Sequence, residues 1–144
     1  MSESSATVRT LRARSDVELR LPADGAFASV LRTLTASLAA RLDFTMDDIE
    51  DLRIAVSEAV AMVLAEADQG VDLVCEFRMN PGELTLRVAT TSSSPTPPDY
   101  ESFGWQVLTT LTSDARVEAV PGRYAVSLTL TSSIDPVAAD GAGL

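Results

Sequence analysis

The stretch Ile54-Ala-Val-Ser-Glu-Ala-Val-Ala-Met-Val-Leu64 decides how this chain is read. It is apolar except at Ser57 and Glu58, and Met62 follows Glu58 by four positions. Residues four apart on a helix share a face. One spot on an apolar helix therefore presents a carboxylate beside a thioether. Just upstream, Thr45-Met-Asp-Asp48 is a capping-box-like start: the Thr45 hydroxyl can cap, and acids sit in the first turn. The spacing predicts a helix near 46–67, with Ile49, Leu52, Val56, Ala59, Val60 and Val63 as its core stripe.

On the N-terminal side, Val17-Glu-Leu-Arg-Leu21 alternates strictly and reads as a strand. Pro22 and Gly25 break it. Phe27, Val30, Leu31, Leu34, Leu38 and Leu42 then recur at helical spacing, which predicts a helix near 25–42. Beyond Gly70, Val71, Leu73, Cys75, Phe77 and Met79 alternate with mostly polar residues. Asn80-Pro-Gly-Glu83 has type II turn chemistry, and Leu84, Leu86 and Val88 alternate after it, completing a hairpin. The segment Thr90-Thr-Ser-Ser-Ser-Pro-Thr-Pro-Pro98 suits neither a helix nor a central strand. A third helix is expected over Glu101 to Thr112, with Phe103, Val107, Leu108 and Leu111 as its apolar side. Ala115 to Val120 and Tyr124 to Leu130 flank Pro121-Gly122 as a second hairpin.

Strands buried on both faces tend to read as continuous apolar runs, whereas these alternate. The expected architecture is a two-layer α+β sandwich, with a mixed, mostly antiparallel five-stranded sheet and three helices on one face. Residues 16–131 form the expected domain. Residues 1–15, rich in Ser, Thr and Ala with Arg9, Arg12 and Arg14, read as a flexible arm, and residues 132–144 as a flexible tail.

Composition narrows the function. The 144 residues carry a formal net charge of −10, which disfavours a nucleic-acid partner and suits a basic protein partner. All eleven cations are Arg, and no His is present. Histidine catalysis, phosphorylation and metal ligation are thereby excluded. No run approaches membrane-span length. The N-terminus lacks a basic-then-apolar secretory pattern, and the single Cys75 cannot form an internal disulfide, so a cytoplasmic location is expected. Cys75 falls on the apolar side of its strand, where burial is its ordinary state.

From Val17 to Leu130 the order of elements resembles the small anti-sigma factors of the histidine-kinase-like ATPase (GHKL) superfamily, the serine kinases that restrain stress and sporulation sigma factors. The resemblance is carried by Leu42-Asp-Phe-Thr-Met-Asp-Asp-Ile-Glu-Asp-Leu-Arg-Ile-Ala-Val-Ser-Glu-Ala59 and, more weakly, by Ser102-Phe-Gly-Trp-Gln-Val-Leu-Thr-Thr-Leu-Thr-Ser-Asp114. It implies that Glu58 matches the family's general base. Met62 falls where the family has an Asn that ligates Mg²⁺ on ATP. Magnesium wants oxygen ligands, and a thioether is soft. The family's adenine-binding Asp and the glycines after it are replaced by Val88-Ala-Thr-Thr-Ser92, leaving Thr90 as a neutral candidate for the adenine. Its Gly-x-Gly phosphate cradle retains only Gly104, with Ser102 in the other place.

Three nucleotide contacts differ together. The resemblance therefore implies a kept scaffold whose ATP chemistry is lost or vestigial, with no metal site and no cofactor unless ATP and Mg²⁺ still bind. Glu58 then reads either as a vestigial base or as a plain solvated acid, and Met62 as a filler of a core gap. The resemblance also implies an alternative sigma factor and a STAS-type anti-anti-sigma antagonist as partners, and a homodimer. Arg32, between Leu31 and Leu34, aligns with a family arginine that holds both partners, and its guanidinium suits partner carboxylates. Two other readings stay open: an active serine kinase using Glu58, and a dimerisation module with no sigma partner.

Overall fold

The computed structural model describes residues 15–134. The segments 1–14 and 135–144, which hold nearly all of the expected arm and tail, lie outside the described residues. The chain runs β1 (Val17–Pro22), a 3₁₀ turn (Gly25–Phe27), α1 (Ala28–Arg41), α2 (Met46–Glu66), β2 (Asp72–Asn80), β3 (Glu83–Thr90), α3 (Phe103–Leu111), β4 (Asp114–Val120) and β5 (Arg123–Thr131). The five strands form one sheet in the order β1-β2-β3-β5-β4, and every pairing is antiparallel rather than mixed.

Local chemistry sets these elements. The Thr45 hydroxyl accepts from Asp48 N at 3.1 Å, and the Asp48 carboxylate accepts from Thr45 N at 3.4 Å, closing the capping box expected for α2. Gly82 adopts φ 70° at the tip of the β2–β3 hairpin, the left-handed position that a type II turn requires of its third residue. Ser133 reaches back from beyond β5 and donates through N and Oγ to Asp48 Oδ2, at 3.0 and 2.9 Å. The last described residues are thereby tied to the start of α2.

The pleat sends Leu73, Cys75, Phe77, Leu84, Leu86, Val88, Val126 and Leu128 to one face, where α2 covers them with Leu52, Ala55, Val56, Ala59, Val60 and Val63. Side chains this fully buried each contribute on the order of 1.5–3 kcal/mol through removal from water.

Three apolar expectations are corrected, the first being Phe27, which is exposed in the 3₁₀ turn ahead of α1. Val30 is 44% exposed, because α1 starts at Ala28 and its buried stripe is Leu31, Thr35, Leu38 and Ala39. Thr35 tolerates that position by donating its hydroxyl to the Leu31 carbonyl at 2.7 Å. Phe103 is 79% exposed rather than part of the apolar side of α3. The helix begins at Phe103 itself, after the Ser102 cap. The inward positions fall to Trp105, Leu108 and Leu111.

Candidate functional site

Glu58 lies in the middle of α2, half-buried, on the side that meets α3. Gly104 is the second residue of α3. A Cβ placed on Gly104 would collide with Glu58 Oε1 and lie 3.2 Å from its Cδ. The missing side chain is therefore what lets α3 seat its backbone on the carboxylate. Ser102 opens that helix, its Oγ accepting from Trp105 N at 3.2 Å. A helix start carries a partial positive charge, which favours an acid placed against it.

Met62, one turn beyond Glu58, is half-buried and packs against the core, as does Trp105. Arg32 reaches across from α1: its Nη1 donates to Ser57 Oγ at 3.4 Å. Ser57 in turn donates to the Arg53 carbonyl at 2.9 Å. Arg32 thus ends beside the residue preceding Glu58. Gly104 meets Glu58, with Met62 one turn further along α2, while Arg32 meets α2 at Ser57. Thr90 is engaged elsewhere. It is buried at the end of β3, donates its hydroxyl to the Asp72 carbonyl at 2.9 Å, and stands opposite Tyr124 in the β3–β5 register.

The segment from Thr91 to Ser102 is strapped down at four points, the first being Asp68 N donating to the Thr91 carbonyl at 2.9 Å. Ser93 donates through N and Oγ to the Asp68 carboxylate, at 3.0 and 2.7 Å, and these bonds hold that carboxyl below its usual range. Thr96 N donates to Glu66 Oε1 at 2.7 Å. Ser92 and Gly122 exchange backbone hydrogen bonds. Tyr100 then meets Trp105 edge to face, with ring centroids 5.1 Å apart. Burial pushes the Tyr124 hydroxyl above its usual range, reinforced by the nearby Glu66 and Tyr100.

Sequence reasoning missed Ser57, Glu66 and Asp68. A signal existed for the two acids. Carboxylates at a helix C-terminus oppose the macrodipole, and that mismatch points to donors arriving from another segment. Nothing in the sequence pattern marked Ser57, because its role depends on how α1 crosses α2.

No family model matches the sequence. The chain is 39% identical over 64 residues to the serine-protein kinase RsbW of Halalkalibacterium halodurans, covering 44% of this chain and 40% of that one. It is 33% identical over 76 residues to RsbW of Bacillus thuringiensis, covering 51% and 47%. The matched stretches thus span less than half the length of these relatives. Among solved structures, the RsbU and RsbW domains of a Mycobacterium tuberculosis protein superpose with a TM-score of 0.60 at 20% identity, covering 83% of this chain and 33% of that one. A chain from the SiaB–SiaC complex of Pseudomonas aeruginosa superposes with a TM-score of 0.57 at 10% identity, covering 88% and 96%. At these identities the structural likeness concerns the fold. Among the described residues no helix is long and apolar enough to cross a membrane.

Proposed function

We propose that this chain is an RsbW-like protein of the GHKL-type anti-sigma serine-kinase family, as its similarity to RsbW proteins supports, and that it acts by sequestering an alternative sigma factor of the stress or sporulation type. A STAS-type anti-anti-sigma antagonist releases that factor by competing for an overlapping surface around Arg32 and α1. The protein works in the cytoplasm, as a homodimer, by competitive occupancy: the partner with the larger product of affinity and concentration holds it.

ATP chemistry is lost or vestigial in this reading. The observation that carries it is the contact of Gly104 with Glu58, one turn from Met62. The donor set does not fit a magnesium-bound triphosphate. A thioether stands where the hard cation needs oxygen. The first turn of α3, the remnant of the phosphate cradle, already has a carboxylate against it. Thr90, in the adenine position, spends its only hydroxyl proton on the Asp72 carbonyl. Each hydrogen bond lost to a charged group costs on the order of 1.5–3 kcal/mol, so three altered contacts weaken nucleotide binding by several decades.

The second reading is an active serine kinase with Glu58 as general base. It is favoured by the retained acid and its partial exposure. Two measurements decide between the readings. Calorimetric titration with Mg-ATP is expected to give no binding below the millimolar range, and incubation with the antagonist no phosphoserine. Micromolar Mg-ATP affinity overturns the loss of ATP chemistry. Failure of the purified chain to bind every alternative sigma factor of its source cell overturns the sequestration itself and leaves a dimerisation module.

A further inference from the structure

The sheet face turned away from the helices carries five arginines interleaved with the carboxylates of Glu18, Asp72, Glu76, Glu83, Asp114 and Glu118. Arg20, Arg78, Arg87, Arg116 and Arg123 all sit on strands at positions that alternate with the buried core residues, so all five lie on this outer face. Three of them, Arg20, Arg87 and Arg123, wall a cavity of about 270 Å³. Val74 and Ala89, neighbours in the β2–β3 register, line it between the longer arginines. Among the described residues Asp72 is the one acid in its lining, and Glu118 holds Arg87 and Arg123 from beside it.

The three guanidiniums are held but not saturated. Arg87 Nη2 and Arg123 Nε both donate to Glu118 Oε1 at 2.9 Å, which sets the two groups side by side. The Arg123 and Arg87 bonds keep the Glu118 carboxyl below its usual range, against the opposing effect of burial. Arg123 closes a second bond to the same carboxylate, Nη2 to Glu118 Oε2 at 3.2 Å, while the other pairs are long: Arg87 to Glu76 at 3.4 Å and Arg20 to Asp72 at 3.5 Å. Arg20 and Arg123 keep 62% and 53% of their side-chain surface exposed. Solvent-facing pairs of this length contribute little to stability, so exchanging one for a ligand anion is cheap. A guanidinium offers five N–H donors in a planar fork, and each of these three uses only some of them on its acids.

We propose that this cavity binds a compact, multiply charged anion through phosphoryl or carboxylate oxygens clamped by Arg20, Arg87 and Arg123. Paired guanidiniums suit such oxygens because two parallel N–H groups match two oxygens. At about 270 Å³ the cavity lies at the lower edge of the roughly 300–1,000 Å³ that drug-sized ligands occupy, and it suits a pyrophosphate- or citrate-sized group. The site lies across the sheet from Glu58 and Gly104, and it does not depend on the reading of the nucleotide remnant.

The test is methyl-detected NMR on the full chain, titrated separately with pyrophosphate and with citrate at constant ionic strength. The Ala89 and Val74 methyl signals are expected to shift saturably with at least one of the two. The anion that binds identifies the source chemistry, phosphoryl or polycarboxylate. Arg20→Gln and Arg87→Gln are each expected to weaken binding about tenfold, the loss of one charge-assisted clamp. Arg53→Gln, on the exposed side of α2, leaves affinity unchanged. Arg20→Gln removes only one long, exposed pair and keeps the variant folded if Arg87→Gln is not. The proposal is overturned if neither anion produces a saturable shift at Ala89 and Val74. It is equally overturned if Arg53→Gln weakens binding as much as Arg20→Gln, which marks diffuse electrostatic attraction.

Discussion

Gly104 seats its backbone against the Glu58 carboxylate, so the start of α3 and the middle of α2 share one close contact. The atom in the way of a Gly104 Cβ is the far end of a flexible side chain. Gly104→Ala is therefore expected to fold, with the Glu58 side chain pushed off its rotamer at a cost of about 0.5–1.5 kcal/mol. Against this stands the helix preference for Ala over Gly, up to about 1 kcal/mol. In a Glu58→Ala background the clash is gone and only the gain remains. Urea denaturation of the four variants is expected to give a coupling energy above about 0.5 kcal/mol between the two sites. Strict additivity would mean that the two residues do not touch in solution.

Arg32 makes one long hydrogen bond, to Ser57. Arg32→Ala is expected to cost less than about 1 kcal/mol of stability, which thermal denaturation reads. On the proposed function it weakens sigma-factor binding by about tenfold or more, as arginine hot spots do. Unchanged affinity would remove Arg32 from the partner surface while leaving the fold intact.

Asp48 links the start of α2 to the residues after β5. Burial alone would raise its carboxyl, but hydrogen bonds from Ser133 and Thr45 outweigh that effect and hold it below the usual range. A folded value below the unfolded one stabilises the ionised state. The contribution is fully present above the ordinary aspartate value of about 4 and disappears as pH falls through the lower folded value. Asp48→Ala is expected to cost about 1 kcal/mol at neutral pH, the typical worth of a cap. The gap between wild type and variant should close on acidification, and a gap of the same size at the acid end would sink this assignment.

Cys75 is fully buried on the inner face of β2, opposite Leu19 and Val88, and burial pushes its thiol up to about 12. The thiolate is the reactive form. Native protein at pH 8 is expected to resist an aromatic disulfide reagent, with labelling that accelerates with urea as the sheet opens. Rapid labelling without denaturant would show that β1 and β2 separate on their own.

Much of the fold was legible because its signals are local. The cap at Thr45, the apolar period of α2 and the alternation of the strands each follow from residues a few positions apart, and each matches the structure. Phe103 was misread for a local reason too. An aromatic at the mouth of a helix fits the apolar period, yet the first turn can point it outward. The resemblance carried by Leu42–Ala59 agrees with the RsbW relatives that the chain matches over part of its length.

The sequence by itself determined the elements and the chemistry available: a helix bearing Glu58 and Met62, no histidine, and an acidic chain whose only cations are arginines. Tertiary structure alone decided what those groups meet. Glu58 faces Gly104 because α3 crosses α2 at that point, Thr90 turns to Asp72 because β2 and β3 align in that register, and three arginines from three strands wall one cavity. Periodicity reports which face of an element is buried. Contacts between distant segments depend on crossing and register, which no short window of sequence contains.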